Sequence, residues 1–309
     1  MSIQSFINSI TPSSDEIEQI SISWWNIRST IESKLDIFWW SKLTWSYSRR
    51  TKIKPIDDLD IIFKLKAWNT TFWESSESWR YYVTINSWFE NSHPLRNFTN
   101  YNYSDGKYYI SPIMITNKMV EKIKETYSTT PYIKRNWECV TVNLSSYELT
   151  IDCTPYIWVT DESYILIPAW WNNLYWKKTN PENDIEVTNK LNSSECYDWK
   201  YKWVIKLMKY RNEYVAPYKM RSYVLECAVY SAIWVNYFSL LNDDYRTILK
   251  WIVFYLIYNR NQMVKDIPWY EYLSFWFTDY QWAKYLEGLN KFFKILWIDD
   301  DALINYFTK

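Results

Sequence analysis

Asp58 and Asp60 stand two residues apart in the run Asp58-Leu59-Asp60-Ile61-Ile62-Phe63, whose apolar members give it the character of a strand. Side chains two apart on a strand leave the same face, so both carboxylates project together, while Asp57 points to the other face and is expected to be solvated. Two hard oxygen donors at that spacing suit Mg²⁺, which takes its remaining ligands from water and substrate phosphates; Mn²⁺ could substitute. A third carboxylate, Asp152, lies in Glu148-Leu149-Thr150-Ile151-Asp152, another expected strand, and pairing could deliver it beside the first two. Three converging aspartates are what two-metal phosphoryl transfer needs. One ion lowers the pKa of an attacking hydroxyl, and the other holds a triphosphate and neutralises the leaving pyrophosphate. Asp152 would be nearest the hydroxyl, as a metal ligand that could also act as general base.

The residues before this strand, Leu43-Thr44-Trp45-Ser46-Tyr47-Ser48-Arg49-Arg50-Thr51-Lys52-Ile53, have the order of a phosphate loop with one residue out of place. A Gly-Ser pair would let the backbone approach a triphosphate and add a hydroxyl. Here the pair is Trp45-Ser46, and Trp45 taken literally blocks that approach. The misfit recurs. The chain has 2 glycines and 22 tryptophans, whereas about 7% glycine, roughly 22 residues, is ordinary at this length. Asn136-Trp137 and Asp198-Trp199 occupy the places of Asn-Gly and Asp-Gly turns, and Trp170-Trp171 sits in a loop composition. An indole is unsuited to turns that need φ > 0. Most of these tryptophans therefore read as UGA codons for glycine, translated with a table that reads UGA as tryptophan. Trp176, in Trp-Lys-Lys-Thr-Asn-Pro, reads as a genuine tryptophan. The alternative is a Trp-rich binding protein with aromatic anchors.

The elements that must position these groups are partly visible. Thr11-Pro12-Ser13-Ser14-Asp15 opens a helix, and Ile17, Ile20, Ile27, Ile31 and Leu35 form its apolar stripe. Residues from about 68 to 106 are polar, aromatic and irregular, with no order assigned. Ser111-Pro112 opens a second helix through Ile115, Met119, Ile123 and Tyr127. Residues 139–144 and 148–152 alternate around Ser145-Ser146-Tyr147 as a hairpin. Beyond Pro168 the periodicity turns helical, over 184–192, 201–214, 222–240, 245–261 and 280–298, with Trp251–Tyr258 a buried helical run. An α/β half over 1–165 is thus followed by a helical half over 166–309.

At this point the pattern Trp45-Ser46-x-x-Arg49-x-Thr51-x-Ile53, Asp58-x-Asp60 and Asp152-Cys-Thr-Pro resembles the CD-NTase family, bacterial cyclic-oligonucleotide synthases related to oligoadenylate synthetases and cyclic GMP–AMP synthase. Trp176-Lys-Lys-Thr-Asn-Pro181, Ile205–Tyr210 and Ser222-Tyr-Val-Leu-Glu226 extend the likeness into the second half. The resemblance implies an α+β fold, a polymerase-β-like mixed sheet with a C-terminal helical lobe closing a nucleotide cleft. It further implies that Ser46 contacts the triphosphate, that Asp58, Asp60 and Asp152 bind metal, that Arg49 and Thr51 belong to the nucleotide site, that Lys209 and Ser222 hold the phosphate tail and that Tyr223 stacks near the base. Arg211 departs from the tryptophan common after the Lys-Tyr pair. The implied product is a cyclic di- or trinucleotide acting as an antiphage signal on a downstream effector. A linear-oligonucleotide or tRNA-tailing transferase and an inactive nucleotide-binding relative stay open.

Bulk properties narrow the classes. The 309 residues balance 35 basic against 35 acidic side chains, and the dense basic tract that an RNA acceptor would require is absent, so nucleic acid is not the expected substrate. The N-terminal residues lack a signal peptide's basic start and apolar core, and the longest apolar run is too short to cross a bilayer. Cys139, Cys153, Cys196 and Cys227 lack CxxC spacing, and His93 is the single histidine, so a Cys/His zinc site is not expected. Small core thiols fit a cytoplasmic, reducing compartment.

Overall fold

The computed structural model describes residues 2–56, 58–75, 80–129, 132–136, 138–144, 149–159, 164–169, 174–193, 196–197, 199–235, 244–259, 264–265, 272–273 and 278–308, with the side chains of 45, 46, 264, 265, 272 and 273 outside that description. Asp57, Trp137, the Ser145–Tyr147 turn, Trp170 and Trp171 lie outside it as well. The chain forms two compact units: Ser13–Tyr47 with Ile56–Pro181, and Met1–Pro12 with Ser48–Pro55 and Glu182–Lys309.

The first unit is built on a mixed sheet. Strand β1 (Phe38–Leu43) runs antiparallel to β2 (Asp58–Leu65), and β2 runs parallel to β9 (Leu149–Trp158). Strand β8 (Cys139–Leu144) forms the expected hairpin with β9 and carries β7 (Tyr132–Asn136) on its outer side. The sheet continues from β9 through β10 (Ile165–Pro168), β11 (Trp176–Thr179), β4 (Arg80–Ile85) and β6 (Lys107–Ile110) to β5 (Thr99–Asn102), with β3 (Thr70–Glu74) also paired to β4. The described residues of 68–106, a segment unordered from sequence, thus hold three strands and two short 3₁₀ turns. The strands are packed by aromatic rings on both faces, which erases the period-2 alternation that marks a half-buried strand. Tyr82 and Tyr175 illustrate it, with ring centroids 4.7 Å apart and a 2.6 Å hydrogen bond between their hydroxyls.

Helices cover this sheet where their caps say they should. Helix α2 (Ser14–Lys34) follows α1 (Ile3–Ser9) and begins with a capping box, in which the Ser13 hydroxyl accepts from the Glu16 N–H and the Glu16 carboxylate accepts from the Ser13 N–H. Ile20, Ile27 and Ile31 are buried, but Ile17 is 41% exposed, because it lies in the first turn before the helix reaches its partners. After the single turn α3 (Trp45–Ser48), helix α4 (Pro112–Thr126) starts at Pro112 with Ser111 as cap and buries Ile115, Met119 and Ile123; α2 packs on α4 and on β1. Trp176 is fully buried and donates its indole N–H to the Ile110 carbonyl at 3.1 Å. His93 is also a packing residue, with Nε2 2.7 Å from the Trp68 carbonyl and Nδ1 accepting from the Leu95 N–H.

The second unit is helical: α1, α5 (Pro181–Leu191), α6 (Lys200–Tyr210), α7 (Ser222–Val235), α8 (Tyr245–Tyr258), α9 (Asp279–Ile295) and α10 (Asp300–Thr308). The expected helix over 201–214 changes form at Arg211, where a π-turn runs to Val215. Helix α8 is amphipathic rather than buried throughout, with Ile252, Val253 and Leu256 inside and Tyr258 70% exposed. Arg211 is fully buried, its guanidinium 5.2 Å and 5.5 Å from the ring centres of Tyr285 and Phe292. A Cβ at Gly288 would come 3.0 Å from its Nη2, which explains why one of the two glycines stands there. Among the described residues no helix is long and apolar enough to cross a membrane.

Candidate active site

In the sheet unit, Asp58 and Asp60 leave the open face of β2 while Leu59 and Ile61 are fully buried on the other. The parallel register sets Asp60 opposite Asp152 and Asp58 opposite Thr150. The three aspartates are therefore neighbours on two adjacent strands, the arrangement expected from their spacing. Thr141 on β8 is the register partner of Asp152, and its hydroxyl donates to Asp152 Oδ1 at 2.6 Å. Sequence reasoning missed Thr141; the hairpin register alone would have found it. The Thr44 N–H donates to the Asp60 carbonyl at 3.1 Å, which ties the entry to Trp45-Ser46 onto the aspartate strand. Residues 45–48 then make one helical turn.

Among the described residues no three His, Cys, Asp or Glu side chains already stand in metal-holding geometry. The donor set still fits Mg²⁺, because that ion dehydrates reluctantly and is held by one or two carboxylates plus water and phosphate oxygens. Burial first, then Asp152 and Asp60, push the Cys153 thiol well above its ordinary range. All four cysteines are buried and free.

The other candidates gather in the helical unit, around a buried ion cluster that sequence reasoning did not foresee. Arg49 and Lys209, read by resemblance as part of the nucleotide site, are 1% and 6% exposed. Arg49 Nε donates to Glu226 Oε2 at 3.0 Å and Nη1 lies 3.4 Å from Asp184 Oδ2. Lys209 Nζ lies 2.5 Å from Glu226 Oε1, and the Thr51 hydroxyl donates to Glu226 Oε2 at 3.3 Å. Tyr223 donates to Asp184 Oδ2 at 3.2 Å, with the Arg49 guanidinium 5.6 Å from its ring centre. Ser222 is exposed and is the first residue of α7. Burial alone would raise the Glu226 carboxyl, but Arg49 and then Lys209 outweigh it and hold it at about 2. Burial lowers Lys209, and Glu226 offsets part of that.

An acid titration should expose this cluster. A carboxyl held below its unfolded value stabilises the fold above pH 4.5, and that contribution fades as pH falls from 4.5 towards 2. Urea unfolding at pH 5 and pH 3 should show a loss of about 2 kcal/mol in the unmutated chain that Glu226→Gln lacks.

No family model matches the chain. A probable cyclic nucleotide synthase from Bacillus cereus (strain VD146) is 30% identical over 195 residues, 59% of this chain and 53% of that protein, so the chain spans about half the length of that curated relative. The STING-associated CdnE c-di-GMP synthase from Capnocytophaga granulosa shares the fold at TM-score 0.63 and 15% identity, over 98% of this chain and 87% of that one. A chain of the E. coli MS115-1 CdnC:HORMA-deltaN complex does so at TM-score 0.63 and 9% identity, over 99% and 95%. A mixed sheet together with a helical unit is the fold that these two structures share with the chain. Over 195 residues the chain is similar to that probable cyclic nucleotide synthase, and over nearly its whole length it shares the fold of the two solved structures.

Proposed function

We propose that the chain is a cyclic-oligonucleotide synthase. A ribose hydroxyl of one nucleotide attacks the α-phosphate of a nucleoside triphosphate, pyrophosphate leaves, and repetition with ring closure yields a cyclic di- or trinucleotide. The observation that carries this reading is the Asp60–Asp152 register, with Thr141 holding Asp152. Asp58, Asp60 and Asp152 would hold Mg²⁺ or Mn²⁺, which when bound lowers the pKa of the attacking hydroxyl and neutralises the triphosphate. Thr141 keeps one Asp152 oxygen occupied and so aims the other. Ser46 adds a hydroxyl to the phosphate loop, Ser222 serves the phosphate tail and Tyr223 serves the base, while Lys209, buried against Glu226, supports the site from behind. The product acts as an antiphage signal read by a separate effector, as the resemblance implies.

The test is incubation with all four nucleoside triphosphates and Mg²⁺ or Mn²⁺, followed by mass spectrometry of phosphatase-resistant products. An Asp58→Asn/Asp60→Asn protein runs beside it. A cyclic product made only by the unmutated chain supports the reading; a linear or RNA-linked product would replace it with a tailing activity.

We further propose that position 45 and most of the other tryptophans are glycine in the native protein. Trp199 supplies the conformational support: it sits at φ 65°, ψ 2° and is 56% exposed. A left-handed residue with a Cβ costs roughly 1–2 kcal/mol, which glycine avoids. Trp199→Gly should therefore raise unfolding free energy by about 1 kcal/mol in urea titrations. Trp45 differs, since it opens a helical turn; there glycine is needed for the approach of phosphate, not for the backbone angle. UGG codons at most of the 22 positions would sink the idea.

A further inference from the structure

The buried cluster is more than a set of ion pairs, because of what it joins. Arg49 and Thr51 lie on the arm 48–55, three and five residues after Ser46 in the chain. Asp184 lies on α5, Lys209 on α6, and Tyr223 and Glu226 on α7. Two cations face two carboxylates, so the group is neutral as it stands, and Glu226 is the member that touches both cations and the arm's hydroxyl. Further contacts fasten the same arm. The Lys54 N–H donates to the Ile10 carbonyl at 2.8 Å, and the Tyr214 hydroxyl donates to the Lys54 carbonyl at 3.0 Å.

We infer that Glu226 is a positioning residue for the phosphate loop: its one carboxylate grips Arg49 and Thr51 with Oε2 and Lys209 with Oε1, and so fixes the arm that continues from Ser46. The inference rests on the nucleotidyltransferase reading for what the loop binds, but not for the anchoring itself. With Glu226 neutral, Arg49 and Lys209 become buried like charges that repel, and the arm loses its hydroxyl acceptor as well. A carboxylate that only stabilised the core would lower global stability without loosening one segment or discriminating among ligands.

Two readouts on the full chain separate these outcomes. The first is amide hydrogen exchange without nucleotide. Glu226→Gln should speed exchange of amides 49–53 at least tenfold, while the α2 and α4 amides stay within twofold. The second is equilibrium binding of a nucleoside triphosphate against its nucleoside, both without metal. Glu226→Gln should weaken the triphosphate at least tenfold and the nucleoside by less than twofold, with Glu226→Asp recovering part of the loss. Unchanged exchange in the arm overturns the inference, as does faster exchange with triphosphate and nucleoside weakened equally or not at all. An unmutated chain that binds no triphosphate, with the arm loosened in Glu226→Gln, upholds the anchor and overturns the nucleotidyltransferase reading instead. If Glu226→Gln fails to fold, Glu226→Gln/Lys209→Met restores neutrality and carries the exchange measurement under the same criteria.

Discussion

Asp60→Asn should lower product formation on the order of 10³-fold while leaving the fold in place. The carboxylate is half-buried on the open face of β2, opposite Asp152, and asparagine keeps its shape while removing its charge. As metal ligands in the proposed reaction these carboxylates would supply several kcal/mol to the transition state, and about 4 kcal/mol corresponds to three decades in rate. The backbone bond from Thr44 to Asp60 survives the change, so urea unfolding should shift by less than about 1 kcal/mol. Thr141→Val tests the same site from one step away. It removes the 2.6 Å hydrogen bond to Asp152 and should cost about 10- to 100-fold, the usual effect of losing a group that orients a metal ligand. Turnover of Asp60→Asn within tenfold of the unmutated chain would remove the aspartates from the proposed chemistry.

Arg49→Met should destabilise the chain by roughly 3–5 kcal/mol, because it leaves Asp184 and Glu226 buried with one cation between them. Burial works against the guanidinium's charge, but Glu226 and Asp184 prevail and raise its pKa above the ordinary value, so it is charged at every pH in which the chain folds. The loss belongs to the broken pair and not to the cluster's net worth. An all-apolar replacement of Arg49, Asp184, Lys209 and Glu226 with side chains of similar volume should recover much of it. A double-mutant cycle between positions 49 and 226 should show coupling well above 0.5 kcal/mol, the level at which independent sites add. Additive losses would mean that the two side chains do not act on each other.

These two groups differ in how plainly the sequence announced them. The aspartates were legible because a strand repeats every two residues: Asp58 and Asp60 share a face whatever else the chain does, and the β8–β9 hairpin put Asp152 on a strand. The capped helices were legible for a similar local reason, with Ser13 and Glu16, or Ser111 and Pro112, written side by side. The ion cluster was not. Arg49 and Glu226 meet across 177 positions, and the Glu226 side chain sits in an apolar helix where nothing nearby signals a salt bridge. Resemblance gave Arg49 and Lys209 to the nucleotide, while their carboxylate partners are visible only once α5, α6 and α7 are packed. Strands β3 to β6 were hidden by tyrosines and tryptophans packed on both faces.

The helical unit draws on three stretches of chain, and the eight residues from Ser48 to Pro55 interrupt the sheet unit to join it. Evolution therefore cannot have traded this unit as a cassette. A gene fragment encoding only 182–309 would omit Arg49 and leave two buried acids to one lysine, so the two halves are bound to be inherited, duplicated and lost together.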